Sequence, residues 1–251
     1  PGPRLVVAER AIVMRGSYAP RGFAPEVTMP VAAEEAGNTA ELVSAVRGQI
    51  ARGADVVKVY ADYRWGPAGT AQPAFTVDEL RAAVEIASSS GRPVIAHAST
   101  AEGMRRATLA GVQTIEHGDG GTAEVFALMR DRGVVLVPTV AAGHAIAQYS
   151  GWRPGDGTEP ARVRAKRASV RAALDAGVII ANGSDVGVFA HGDNARELEL
   201  LVEYGLTPLQ AIAAATRVAG RVLDATGLLG TLTPNAPADL LIVRGDPTRE
   251  I

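Results

Sequence analysis

RPVIAHASTAEGMRRATLAGVQTIEHG, residues 92–118, changes period twice. A short apolar run ends in His97, a helical stretch follows, and a second apolar run ends in His117. The two histidines stand one strand–helix repeat apart, so each sits at the C-terminal end of a strand in consecutive βα units. Parallel neighbours in a barrel bring such ends together at the face where active sites gather. Two imidazoles placed there can share one metal ion. The chain has only four histidines, and a packed core has no reason to repeat one at matching strand ends.

Outward from this stretch, strands and helices keep alternating, which argues for an α/β fold on a parallel sheet. Strands are expected at 5–13, 55–61, 93–97, 112–116, 134–138 and 178–182. The 251 residues match the roughly 250 of a (β/α)8 barrel, but a barrel needs eight strands and six are read. Between them, Gly16–Pro30 is a loop long enough to face a substrate. Thr39–Arg52 is helical, with Leu42, Val43, Val46 and Ile50 on one face. Thr76 opens another helix in a capping-box pattern with Glu79, and Gly91 closes it. Further helices are expected at about 122–132, 159–176, 194–204 and 207–224. From Gly227 the sequence changes to turn residues and one apolar run, Ala238–Val243.

Composition removes several function classes. A net charge of −2 and 4% aromatic residues offer neither a phosphate-neutralising field nor stacking platforms, so nucleic acid is not an expected partner. No apolar run reaches about 18 residues, so no membrane span is expected. With no cysteine, disulfides and thiolate zinc sites are excluded, and a metal must take histidine or carboxylate. PGPRLVVAERAIVM carries no initiator methionine and no signal-peptide pattern, and reads as the middle of a longer protein. A cytoplasmic location is the default expectation.

Five further positions can carry chemistry. Of 25 basic residues only Lys58 and Lys166 are lysines, and Lys58 lies inside an apolar strand. A buried ammonium must be paired or lose its proton, and a neutral lysine amine can take up CO2 as a carbamate able to bridge two metals. The plainer reading has Lys58 snorkel to a strand end or pair with Asp62. Asp185, in Asn182-Gly183-Ser184-Asp185 after a strand, can ligate a metal and move a proton, or cap a turn. Tyr60 shares the face of Lys58 and can donate to a developing oxyanion, or simply pack. His144 and His191 are read in loops beyond strand ends, as substrate contacts or surface residues rather than metal ligands. Glu116 is expected on the opposite face from His117 and is read as structural. Gly118–Gly121 can cradle an anion, but Asp119 within it argues against phosphate.

The ordered set Lys58, His97, His117, Asp185, carried by GADVVKVYADY, PVIAHASTAEGMRRATLAGVQTIEHGDGG, NGSDVGVFAHGDNARELELLVEYGLTPLQAIAAAT and LGTLTPNAPADLLIVRGDP, resembles the amidohydrolase superfamily. The nearer likeness is to its imidazolonepropionase-like and prolidase-like members. The resemblance implies an incomplete (β/α)8 TIM barrel over 1–226 and part of a small β-sandwich over 227–251. It implies a divalent metal, zinc by preference, with Lys58 as the CO2-derived carbamate. His97 and His117 would hold one ion, and Asp185 would hold the other and shuttle the proton. The implied reaction is hydrolysis of an amide or peptide C–N bond in a small molecule, a dipeptide or N-acyl amino acid, by metal-activated water, in a possible homo-oligomer. A cyclic amidohydrolase or deaminase is the enzymatic alternative. The superfamily's His-x-His strand has no counterpart before His97, so this chain is expected to bind at most one metal and to be poorly active, or to serve as a binding or assembly subunit.

Overall fold

Parallel strands alternate with helices from Ala11 onward in the computed structural model, which describes residues 3–251 apart from 21, 25, 28, 156 and 225. The chain packs as two compact units, Pro1–Gly118 and Asp119–Ile251.

The first unit holds β1 (Ala11–Met14), β2 (Ala33–Ala36), α1 (Thr39–Ala51), β3 (Val57–Tyr60), β4 (Asp62–Tyr63), β5 (Gln72–Pro73), α2 (Val77–Ser88), β6 (Val94–Ala98), α3 (Ala101–Ala110) and β7 (Thr114–His117). Five of these strands form a parallel ladder in the order β2-β1-β3-β6-β7, while β4 and β5 make a separate antiparallel pair. Alternation sorts the side chains: Val57, Val59, Val94, Ala96 and Ala98 are buried, and the residues between them are only half-buried. The helices start where their caps dictate. Asn38 caps α1, the Thr76–Glu79 capping box opens α2 as expected, and Thr100 caps α3.

Two strand expectations change. The first strand is Ala11–Met14, not 5–13, because Glu9 turns into the left-handed region at φ 55°. Leu5, Val6 and Val7 are exposed, and Val7 is tied to Asp55 instead. β2, sequence AEEA, was not expected at all: it lacks an apolar run and sits at the end of the ladder order, where glutamates discourage further pairing. Of the expected Gly16–Pro30 loop, Arg21, Pro25 and Thr28 lie outside the described residues.

The second unit holds α4 (Ala123–Arg132), β8 (Val135–Val137), α5 (Val140–Tyr149), α6 (Ala161–Ala176), α7 (Arg196–Glu203), α8 (Pro208–Ala213), a π-helical turn at Ala214–Val218 and α9 (Ala219–Leu223). The strand expected at 178–182 reduces to one parallel bridge, Leu136 to Ile180, framed by Leu136 N–H to Ile179 O and Ala181 N–H to Leu136 O. Phe126, Met129, Leu136 and Leu201 are fully buried. Gly121 opens α4's approach without a side chain because a Cβ there would lie 2.1 Å from the Phe126 ring. Ala238–Val243 carries no strand; Leu240, Leu241 and Ile242 are 69%, 88% and 95% exposed. Among the described residues no helix is long and apolar enough to cross a membrane.

Candidate active site

Lys58 and Tyr60 are alternate residues of β3, and the ladder register sets Tyr60 opposite His97 and His97 opposite Glu116. These side chains therefore share one face. Lys58 Nζ donates to Glu116 Oε2 at 2.6 Å, and Thr114 Oγ1 donates to Glu116 Oε1 at 2.5 Å. Glu116 thus faces the site, correcting the expectation that it points away. The residue that should point away by alternation is His117. It reaches the site because its backbone turns left-handed, φ 74°, a conformation that costs a non-glycine residue about 1–2 kcal/mol. Its ring then meets His97 edge to face, centroids 4.5 Å apart at 69°.

His97 is fixed from two other sides. Tyr60 stacks on it at 4.4 Å and 15°, so the phenol expected near a developing charge is held against a metal-ligand candidate. Tyr18 and Tyr63 extend the aromatic wall, with Tyr63 5.9 Å from His97 and Tyr18 5.2 Å from Tyr63. Burial raises the Tyr63 phenol above its ordinary value. Behind the ring lies Asp62, fully buried, accepting from Ser99 N–H, Thr100 N–H and Thr100 Oγ1–H. Its Oδ1 is 3.6 Å from His97 Nε2. The plainer sequence reading, a Lys58–Asp62 pair, is replaced: Lys58 pairs with Glu116 and Asp62 serves the turn into α3. The sequence signal for Asp62 was present, two residues beyond Tyr60, but its partners lie 37 and 38 positions away.

His97 and His117 fit a divalent ion as two neighbouring nitrogen donors, the donor type zinc takes in catalytic sites. Among the described residues no group of three or more His, Cys, Asp or Glu side chains is arranged to hold a metal.

In the second unit, Asp185 stands exposed just beyond the Ile180 bridge, with a left-handed backbone at φ 55°. Ser184 beside it is buried and takes a hydrogen bond from Asn194. Glu197, fully buried on α7, accepts from the N–H groups of Val140 and Ala141 at 2.9 and 2.7 Å. It thereby caps α5, whose own cap residue Thr139 is left-handed and makes no side-chain cap bond to the helix. Burial lifts the Glu197 carboxyl to about 7 against the pull of those two N–H groups, and the Asp185 charge adds to the rise. Lys166 is buried, paired with Asp119 and donating to Pro138 O at 2.7 Å. The second lysine is thus a tie from α6 to the end of β8 and to the loop before α4, and Asp119 is committed to it.

The two histidines expected as substrate contacts part company. His191 is exposed in a loop. His144 is not in a loop: it lies inside α5, buried, with Nε2 2.8 Å from the Tyr204 hydroxyl and Trp152 edge-on at 5.3 Å. Burial lowers its pKa. The apolar VAAGHAIA run carries no turn signal, and only its place after a strand suggests a loop.

The sequence profile described as Amidohydrolase family matches residues 3–251. An uncharacterized protein of Mycobacterium bovis is 33% identical over 98% of this chain and 64% of its own length. Ochratoxinase of Aspergillus niger is 33% identical over 84% of this chain and 45% of its own. A crystal structure of a Xaa-Pro dipeptidase with bound methionine in the active site superposes with a TM-score of 0.85 at 34% identity, covering 99% of this chain and 64% of that one. The fold is α/β, a part of the barrel these neighbours share. The chain spans about 64% of the length of the first relatives it matches.

Proposed function

The chain belongs to the amidohydrolase family, and from that premise we propose that it carries part of the active site of a metal-dependent hydrolase. The substrate class is small amides: dipeptides, Xaa-Pro among them, and N-acyl amino acids. One observation carries the reading: the His97–His117 ring contact at adjacent strand ends, in register with the Lys58–Glu116 pair. Likeness to a Xaa-Pro dipeptidase and to ochratoxinase supports the substrate class. Residues 1–226 are assigned to the barrel and 227–251 to the start of a β-sandwich.

His97 and His117 would hold one divalent ion, zinc by donor type, beside Lys58 as a CO2-derived carbamate, and Asp185 would serve the other ion position. That ion supplies an activated water and a polarised amide carbonyl. The residues supply the rest. Tyr60, its ring fixed on His97, directs its hydroxyl to the carbonyl oxygen as charge develops. Asp185 accepts the proton from water and returns it to the leaving nitrogen. Glu116 holds Lys58 beside the histidines until carbamate forms.

The chain loaded with zinc in bicarbonate buffer tests this. Zinc should be retained at about one ion per chain, the count from two histidines sharing one ion, and lost in His97→Ala and His117→Ala. Hydrolysis across an Xaa-Pro panel, weak because the chain carries only part of the site, should still exceed that of cyclic amides. Turnover of cyclic amides alone would sink the dipeptidase assignment, and a wild-type chain without zinc would sink the metal reading.

A further inference from the structure

The turn into α3 contains a carboxylate that the helix does not need. Thr100 already caps α3, its hydroxyl accepting from Gly103 N–H at 3.0 Å. Asp62 is nevertheless brought from beyond β3 and fixed by three donors, Ser99 N–H at 2.9 Å, Thr100 N–H at 2.7 Å and Thr100 Oγ1–H at 2.7 Å. The first turn of α3 is shaped to receive it: a Cβ on Gly103 would lie 2.2 Å from Asp62 Oδ2 and 2.9 Å from its Cγ. With Oδ2 so held, Oδ1 faces His97 Nε2 at 3.6 Å. The His97 ring cannot swing away, because Tyr60 covers its face and His117 meets it edge to face.

We infer that Asp62 is the positioning residue for His97. The contact is longer than a hydrogen bond, but it sets a fixed, fully buried anion before one ring nitrogen. Such an anion favours the tautomer with its proton on that nitrogen, Nε2, which leaves the Nδ1 lone pair for a metal. Asp62 touches no substrate and no reacting atom; it acts through His97. The inference rests on the metal reading above for its purpose, but its first step is a property of the ring alone.

The test reads the two separately. Long-range 1H–15N correlation spectra of the metal-free wild-type chain at pH 8 should show His97 as the neutral Nε2–H tautomer. Asp62→Asn, and Gly103→Ala, which displaces the carboxylate without changing it, should both shift His97 toward a mixture. Thr100→Ala, which removes the helix cap and leaves the two main-chain donors to Asp62, should leave the tautomer in place while lowering stability. In a chelator competition, zinc affinity should fall about 10–100-fold in Asp62→Asn, the usual effect of losing a ligand's outer partner, and stay within about twofold in Thr100→Ala by the same reasoning. A wild-type His97 carrying its proton on Nδ1 overturns the inference, and needs no variant to fold. So does an Asp62→Asn tautomer, or zinc affinity, equal to wild type. If the tautomer responds as expected and the wild-type chain binds no zinc, the metal reading fails and the positioning role stands.

Discussion

The Lys58 ammonium lies 2.6 Å from a Glu116 carboxylate oxygen, reaching across β6 from β3 to β7. Their side chains are 20% and 12% exposed, so the pair is largely shielded from water and each charge depends on the other. Removing one partner of a buried pair costs more than replacing both, because the survivor is left uncompensated.

Glu116→Gln and Lys58→Met should therefore each lower unfolding free energy by about 2–4 kcal/mol, somewhat under the fully buried range because water reaches both groups. The double variant should lose clearly less than the two losses combined. Urea unfolding of the four proteins measures the coupling. Additive losses would mean that the two side chains do not depend on each other.

Glu197 makes stability depend on pH. Its folded-state carboxyl is raised to about 7 from 4.5, so the folded chain binds its proton more tightly than the unfolded chain. The stabilisation is fully present below about 4.5, is lost as pH rises through about 7, and amounts to about 3 kcal/mol at most. His144, lowered by burial, works in the opposite direction below 6.5. The informative quantity is therefore wild type minus Glu197→Gln between pH 4.5 and 8. That difference should fall with rising pH, and a flat difference would refute the assignment.

Gly103→Ala should destabilise the chain by about 1–3 kcal/mol, the range for overpacking. Helix propensity alone favours alanine by about 1 kcal/mol, so the sign of the change decides between them. The clash with Asp62 Oδ2 at 2.2 Å predicts a lower melting temperature in a thermal scan.

Tyr204→Phe removes the hydroxyl 2.8 Å from His144 Nε2, while His144 Nδ1 has no hydrogen-bond partner among the described residues. Leaving a buried ring nitrogen without its partner should cost about 1–3 kcal/mol. Zinc content should not change, since His144 packs within α5 and is not among the proposed ligands. A loss of zinc in this variant would couple His144 to the proposed metal site.

Legibility in the sequence followed the range of the forces. Local signals read true: the Thr76–Glu79 box, the apolar strands of Val57–Val59 and Val94–Ala98, and the two histidines at successive strand ends. β2 escaped because an edge strand needs no apolar pattern, and AEEA has none. Glu116 was misplaced because alternation assumes ordinary backbone angles, and His117 breaks it at φ 74°. The sequence offers Asp62 only as a partner for Lys58, since its donors at Ser99 and Thr100 come from the next βα unit. His144 was set in a loop because a helix beginning directly after β8, capped by a glutamate 56 positions away, leaves no mark in local sequence.

The left-handed backbones at His117 and Asp185 set folding and chemistry against each other at single positions. Glycine at either would relax the backbone, a gain of about 1 kcal/mol, and would erase the side chain that the proposed reaction uses. A selection for thermostability alone would be drawn to these residues early. Stability screens on this chain should therefore hold both positions fixed, or they will return sturdier proteins that lack a side chain the proposed reaction uses.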